Sequence, residues 1–299
     1  MTGRTIARWM VVAGAAAALA GLARSFDGAI PVVAQHPAGG ARAAAEIDLT
    51  GYWVSVVTED WRYRMVTPAK GDYASVPLNA AGRRAADAWD PAKDAAAGET
   101  CKAYGAAAIM RVPGRLHVTW NDDNALKIDT DAGTQTRILH FGQSEAPAGQ
   151  GSLQGYSIAR WVPVASRPAG QGAPRDATGA DLGIGRGTDA PSGAIAGAQL
   201  AAGQGRGAAR GGQQRRGGSL KVVTTGMRAG YLRKNGVPYS DTAMLTEYFT
   251  EVSGPRGDTW LVVTTIVEDP QYLTQPFITS THFKREPDGA KWRPTPCTS

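Results

Sequence analysis

Three ionisable residues, Glu247, Arg137 and Arg160, stand at positions that favour the interior of a β-protein. Each alternates with apolar residues along its segment, and alternate residues of a strand point to the same face of a sheet. A charge buried among apolar side chains is costly unless an opposite charge pairs with it. We therefore expect Glu247 to pair with Arg137 or with Arg160. Such a pair could orient a polar group of a ligand, or it could be purely structural.

Aromatic side chains on these and neighbouring segments supply apolar material for a pocket. Phe249 shares a face with Glu247, Tyr156 shares one with Arg160, and Trp120 lies on the apolar face of its own segment. Core packing would explain each of them, but a cavity lined by several would suit a flat or apolar ligand. The predicted ligand-binding residues are Arg137, Tyr156, Arg160, Glu247, Phe249 and Trp120.

The histidines and serines form no recognisable metal or catalytic motif. His117, His140 and His282 fall on three different segments and show neither HxH nor HExxH spacing. The sequence also lacks a Gly-X-Ser-X-Gly nucleophile motif. We therefore expect no metal and no cofactor. Acid–base chemistry could use Glu59, Asp60, His117, Glu247 or Asp269, but no pair of these residues has a diagnostic spacing.

Short segments that alternate apolar and polar residues must position these side chains. Turn-forming residues separate most of the segments, which predicts hairpins and a largely antiparallel sheet. Eight to ten strands favour a closed up-and-down barrel, because closure leaves no edge strand, and an open β-sandwich is the alternative. The predicted strands are 49–58, 59–67, 114–120, 125–130, 134–141, 153–162, 219–225, 242–252, 258–268 and 277–286.

Helical and loop segments could cover the ends of such a barrel. Asn79 is a typical N-cap for a helix over 80–89, which lies between the second and third predicted strands. Two long loops, 226–240 and 268–277, carry aromatic residues, and the first also carries basic ones. These loops are candidates for the mouth of a pocket or for a cap on the barrel end.

Gly51-Tyr52-Trp53 opens the first predicted strand, and a Gly-X-Trp motif at this place resembles the lipocalin and calycin pattern. That resemblance implies a barrel whose closed end is plugged by the tryptophan. From Leu49 to Cys297 the chain also resembles a group of uncharacterised secreted bacterial β-rich proteins. The segments LTEYF and VEDPQYLTQPF are among those that carry the second resemblance, which implies no established activity.

The first 34 residues have the pattern of a signal peptide. Arg4 and Arg8 precede an apolar run over 9–23, and small residues mark a cleavage site near Ala34/Gln35. We therefore expect a periplasmic or secreted protein with a flexible leader over 35–47 and a single domain over 48–299. A retained anchor helix is the alternative, although the run is short for a membrane span of about 20 residues.

Two cysteines fit an oxidising compartment. Cys101 and Cys297 are the only ones in the chain, and neither belongs to a paired motif typical of metal or redox sites. We predict that they form one disulfide. Two unrelated free thiols are the alternative.

Positive charge is concentrated in two parts of the chain. Of the net charge of +6, residues 1–34 hold +2 and residues 165–218 hold +4. The rest is neutral and lacks the basic surface typical of nucleic-acid-binding proteins. Residues 165–218 are rich in Gly, Ala, Gln and Arg, which predicts a disordered insert between two strands that would otherwise be neighbours.

Three functional hypotheses follow from these observations. The first is an exported, monomeric, lipocalin-like binding protein that holds a small apolar or amphipathic ligand in the barrel lumen. The second is an enzyme of the hydratase, isomerase or cyclase type on the same barrel, using Glu247. The third is a structural or adhesive envelope protein whose basic insert at 165–218 makes weak contacts with anionic envelope polymer or lipid. None of the three involves nucleic acid.

Overall fold

The computed structural model describes residues 40–143, 145–147, 151–163 and 218–298. Nine strands close into a barrel, which confirms the predicted mainly-β closed barrel. The barrel strands are β1 (Gly51–Val56), β2 (Arg115–Asp122), β3 (Ala125–Thr130), β4 (Gln135–Phe141), β5 (Tyr156–Pro163), β6 (Gly218–Thr225), β9 (Met244–Ser253), β10 (Thr259–Glu268) and β11 (Phe277–Glu286). Around the barrel they follow the order β1, β11, β10, β9, β6, β5, β4, β3, β2. Two further strands, β7 (Gly230–Arg233) and β8 (Val237–Tyr239), form a separate hairpin.

One pair of neighbouring strands departs from the predicted up-and-down pattern. β4 and β5 are parallel, with Leu139 opposite Ser157, whereas the other neighbouring pairs of the barrel are antiparallel. An odd number of strands cannot alternate in direction around a closed ring, so at least one pair must be parallel. The chain between β4 and β5 therefore has to return along the length of the barrel instead of turning in a hairpin.

Alternation along each strand places one set of side chains inside the barrel. In β6, for example, Leu220, Val222 and Thr224 are buried, and the residues between them are partly exposed. One continuous core cluster contains buried residues from all nine barrel strands, including Trp53 and Phe283. Side chains therefore fill the interior of the barrel, as is usual for small barrels.

Short helices occupy the chain between β1 and β2, and one precedes β1. The helices are α1 (Gly40–Ala43), α2 (Trp61–Met65), α3 (Ala80–Asp87), α4 (Pro91–Ala96) and α5 (Ala106–Ile109), with a 3₁₀ helix over Thr100–Tyr104. The predicted N-cap of α3 is confirmed, because the Asn79 side chain accepts a 2.9 Å hydrogen bond from the backbone N–H of Gly82.

Most of these helices and the β7–β8 hairpin lie together at the end of the barrel where β1 ends and β2 begins, which we term the hairpin end. A second core cluster forms there. It contains Leu78 and Ala86 from the helical segment, by which we mean the chain between β1 and β2. They pack with Leu232 and Val237 of the hairpin and with Phe277 of β11. The helical segment thus covers one end of the barrel, as predicted.

The segment over 59–67 was predicted as a strand, and this prediction is wrong. Asp60 has a φ of 47°, which breaks the extended conformation, and α2 follows it. Arg64 points into the protein, whereas Trp61 and Met65 are exposed. Exposed apolar side chains here produced an alternation that resembled that of a half-buried strand.

Residues that precede β1 cover the opposite end of the barrel, which we term the leader end. The described part of the predicted flexible leader, 40–47, packs against the barrel, because Ala41 and Ile47 are buried in its core cluster. The backbone N–H of Ala41 donates to Asn124 Oδ1 at 3.0 Å. Trp53 is fully buried near this end, and the guanidinium of Arg285 lies 4.4 Å from the centre of its ring system.

The predicted disulfide between Cys101 and Cys297 is confirmed. It ties the chain after β11 to the 3₁₀ helix at the hairpin end, with the two Cα atoms 5.1 Å apart. The backbone N–H of Thr295 also donates to the carbonyl of Asp131 at 2.8 Å, beside the same attachment. The C-terminal tail is therefore a fixed part of the hairpin end.

The predicted signal peptide at 1–34 and nearly all of the predicted insert at 165–218 lie outside the described residues. The two strands that flank the insert are neighbours, as predicted, because β5 and β6 pair antiparallel with Pro163 opposite Gly218. In the described part of the chain, no helix is long and apolar enough to cross a membrane.

Candidate functional site

Arg137 and Glu247 form a fully buried ion pair inside the barrel. Arg137 donates from Nη2 to Glu247 Oε2 at 2.6 Å and from Nη1 to Oε1 at 3.2 Å, so the pair is bidentate. Nη2 also lies 3.4 Å from the hydroxyl oxygens of Ser157 and Thr224, which are 2.8 Å apart. Glu247 was predicted to pair with Arg137 or with Arg160, and its partner is Arg137.

Four consecutive strands position this pair. Arg137 is on β4, Ser157 on β5, Thr224 on β6 and Glu247 on β9, and each side chain points inward from its strand. Bidentate contact between a guanidinium and a carboxylate offsets the cost of burying both charges. The network therefore holds the two charges at a fixed place within a filled interior.

Arg160 and Tyr156 lie on the outer face of β5, so the predicted inward orientation of these two residues is wrong. Arg160 is exposed, and Tyr156 stacks on His140 with 4.4 Å between ring centroids. The inward residues of β5 include Ser157 and Ala159. These small side chains leave room for the guanidinium of Arg137 nearby, whereas Tyr156, Ile158 and Arg160 face outward. Hydrophobicity along the strand therefore predicted the wrong face.

Phe249 and Trp120 face inward, as predicted, but at different places. Phe249 is 1% exposed within the core cluster that also contains the barrel residues around the ion pair. Trp120 is partly buried towards the leader end, where its ring lies 5.7 Å from that of Phe141 and 6.5 Å from that of Trp161. The Nε1 of Trp161 donates to the carbonyl of Ala41 at 2.9 Å, so the leader contacts this aromatic cluster.

A pocket lies outside the barrel interior, at the hairpin end, with a volume of about 490 Å³. Its walls come from α2 and the residues that follow it, from the α5 region, from the β7–β8 hairpin and from the C-terminal tail. The lining residues include Tyr63, Arg64, Met65, Pro68, Tyr104, Ala108, Arg111, Val112, Leu232, Arg233, Lys234, Thr295 and Pro296.

Three buried arginines line this pocket: Arg64, Arg111 and Arg233 are 8%, 6% and 5% exposed. Arg64 forms an ion pair with Glu59 and donates from Nε to the carbonyl of Arg111 at 2.9 Å. Arg111 donates from Nη2 to Asp60 Oδ2 at 2.9 Å. Two carboxylates therefore face three buried guanidinium groups.

Arg233 has neutral hydrogen-bond partners. Its Nη1 donates to the carbonyl of Ala74 at 2.8 Å and its Nη2 to Ser75 Oγ at 2.9 Å, while its guanidinium lies 4.4 Å from the centre of the Tyr63 ring. Burial, together with the nearby charge of Arg111, lowers the pKa of Arg233 to about 10. Burial also lowers the pKa of Arg64, and the charge of Arg111 contributes. Positive charge in the pocket is thus incompletely neutralised.

The three histidines that the structure describes occupy separate places on the outer surface of the barrel. His117 stacks on Tyr52, His140 stacks on Tyr156, and the Nδ1 of His282 lies 2.9 Å from Glu59 Oε2. Over the described ranges of the chain, no group of three or more His, Cys, Asp or Glu side chains could hold a metal ion.

The sequence indicated part of this pocket and missed the rest. The loop over 226–240, predicted as a pocket mouth or an end cap, supplies Leu232, Arg233 and Lys234, and its Asn-Gly turn has Gly236 at a φ of 79°, which glycine adopts easily. Arg64 was missed because its segment was predicted as a strand. Arg111 stands in a segment without periodicity, and no local signal marked it.

Comparison with known proteins identifies no relative, because no family model, no curated protein and no solved structure matches the chain. The pocket, the ion pair and the disulfide that fixes the tail are therefore the features from which a function can be inferred.

Proposed function

We propose that the protein is an exported binding protein that holds a small amphipathic molecule in the pocket at the hairpin end. The observation that carries this proposal is a cavity of about 490 Å³ in which buried guanidinium groups lie beside apolar side chains such as Leu232 and Val112. Binding sites for small molecules are commonly clefts of roughly 300 to 1,000 Å³ with mainly apolar walls and a few polar groups.

The site that we propose lies outside the lumen, because side chains of all nine strands fill the barrel interior. The disulfide supports export, since such bonds persist in oxidising compartments. It also attaches the tail that forms one wall of the pocket. A wall fixed in advance lowers the entropy lost on binding.

Binding is better supported than catalysis by Glu247. Both oxygens of that carboxylate accept hydrogen bonds from Arg137, and the side chain has no exposed surface. An acid or base in catalysis must come within hydrogen-bonding distance of its substrate. The third hypothesis, weak contact of the insert with envelope polymer or lipid, concerns residues outside the described ranges and stays a prediction.

The proposal is tested by titrating the mature protein with N-phenyl-1-naphthylamine, an apolar dye whose fluorescence rises when it leaves water. Thr67→Trp places a bulky side chain at the rim of the pocket, because Thr67 is exposed and lines it. We expect this variant to bind the dye about tenfold more weakly, a loss of about 1.4 kcal/mol.

The matched control is Thr136→Trp, which makes the same substitution on the outer face of β4 and should leave dye affinity unchanged. Equal affinity of the wild type and both variants would place the dye elsewhere. That result, or a complete absence of binding, would overturn the proposed function.

A further inference from the structure

We propose that the pocket binds the anionic end of an amphipathic ligand, a carboxylate or a phosphate group, through Arg111 and Arg233. This inference rests on the proposed function and names the class of ligand. The three pocket arginines differ in how completely the protein satisfies their hydrogen-bond donors. Arg64 uses its Nε and both terminal nitrogens within the protein, with Arg111, Glu59 and Ser55 as partners.

Arg111 and Arg233 each have one buried guanidinium nitrogen for which the described residues supply no acceptor. Within the described part of the chain, Nη1 of Arg111 and Nε of Arg233 are buried and have no hydrogen-bond partner. A buried donor without an acceptor is unfavourable, because it has lost its hydrogen bonds to water. Both residues line the pocket, and we place the oxygen-rich group of the ligand against their guanidinium groups.

The charge of the site favours an anion over a neutral acceptor. Glu59 pairs with Arg64 and Asp60 pairs with Arg111. Among the residues that the structure describes, Arg233 forms no ion pair with a carboxylate, and Asp60 and Asp72 act on its charge only at longer range. Arg111 and Arg233 are close enough for their charges to repel, and the lowered pKa of Arg233 reflects both this repulsion and burial. An anionic ligand would relieve the repulsion and offset the cost of burial.

The remaining walls determine the other half of the ligand. Val112, Leu232 and Pro68 present apolar surface in the same pocket, and Met65 lies at its exposed side. A ligand that fills such a site carries an anionic oxygen group at one end and an alkyl or aryl body at the other. Free inorganic anions would leave the apolar walls in contact with water and are therefore poorer ligands.

Two dyes with the same ring system test the charge requirement. 1-Anilinonaphthalene-8-sulfonate carries a sulfonate that N-phenyl-1-naphthylamine lacks. We expect the wild type to bind the anionic dye at least about tenfold more tightly than the neutral dye, as is typical of charge-assisted hydrogen bonds. Arg111→Gln should reduce this preference to about threefold or less, and Arg111→Lys should keep part of it.

The matched control is Arg256→Gln, which removes the same charge from an exposed turn at the leader end. It should leave the preference unchanged. If Arg111→Gln does not fold, as judged by its thermal unfolding transition, the comparison of the two dyes on the wild type and on Arg111→Lys decides the matter. Displacement of the anionic dye by octanoate or by octyl phosphate then distinguishes a carboxylate ligand from a phosphate ligand.

The results that would contradict the anionic class of ligand differ from the result that would contradict the proposed function. Equal binding of both dyes by the wild type, displacement by neutral octanol at the same concentration as by the two anions, or an unchanged preference in Arg111→Gln would overturn the anionic class and leave a binding pocket. Absence of binding of either dye would overturn the proposed function itself.

Discussion

The barrel interior and the hairpin end both contain buried arginines, but the hydrogen-bond partners of these arginines differ. Arg137 lies in the core against Glu247, with two hydrogen bonds between the charged groups. Arg233 is nearly as buried, yet its hydrogen-bond partners are a carbonyl and a hydroxyl. Equal burial therefore says little about role. The presence or absence of a charge partner separates an ion pair that supports the fold from a group that is suited to bind an anion.

The same substitution at the two arginines should have unequal effects, and the larger one is at the core. Arg137→Met leaves Glu247 as an unpaired carboxylate with no exposed surface. Removing one partner of a buried pair typically costs about 3 to 5 kcal/mol. We expect a loss of that size in the free energy of unfolding, measured by urea denaturation.

A second variant shows whether the lost charge partner is the cause. In the double variant Arg137→Met with Glu247→Leu, no charge remains at the site of the ion pair. This variant should therefore recover much of the lost free energy of unfolding. A decrease below about 1 kcal/mol in the single variant would contradict the assigned role of the pair.

The disulfide should give the next largest effect, and it should act on the hairpin end. Cys101→Ser together with Cys297→Ser removes a bond between residues 196 positions apart in the chain. Loss of a native disulfide typically costs about 2 to 4 kcal/mol. Because the tail forms one wall of the pocket, dye affinity should fall as well. Unchanged dye binding in the folded double variant would show that the tail is not needed for the site.

The smallest effect is expected for Arg233→Met. This variant removes two hydrogen bonds but also removes a buried cation without a carboxylate partner, so we expect a loss of about 1 to 2 kcal/mol in urea denaturation. A loss as large as that of Arg137→Met would remove the contrast between the two regions.

The pH dependence of the same variant sharpens the contrast. The pKa of Arg233 is about 10 in the folded protein and its ordinary value is 12.5. Between these values the unfolded chain binds more protons than the folded chain, so the stability that the wild type has relative to Arg233→Met should increase as pH rises from 10. Urea denaturation of both proteins at pH 9 and pH 11 measures this change, and a constant difference would contradict the lowered pKa.

The sequence was informative where a local pattern matched the physical constraint. Alternation along 242–252 and 134–141 was sufficient to place Glu247 and Arg137 inside, and the cost of unpaired charge then limited the predicted partner of Glu247 to Arg137 or Arg160. The N-cap at Asn79 follows from equally local reasoning, whereas the disulfide follows from the presence of two cysteines in a chain that is expected to be exported. On β5, however, the inner face carries small residues next to Arg137, so hydrophobicity predicted the wrong face.

The pocket could not have been assembled from sequence in the same way. Its arginines come from α2, from the chain after α5 and from the end of β7, which are separated in sequence and meet only in the tertiary structure. Tertiary contacts also decided the conformation of 59–67, where the buried position of Arg64 outweighed the apparent alternation. The parallel pair of β4 and β5 depends on the total number of strands, which local patterns do not contain.

The pairing of β5 with β6 has an evolutionary consequence. Because Pro163 lies opposite Gly218, the two ends of the segment between them are held together whatever its length. Doubling the length of a flexible connection adds only about 0.6 kcal/mol of closure entropy. Insertions and deletions at this position therefore need no compensating change in the nine barrel strands.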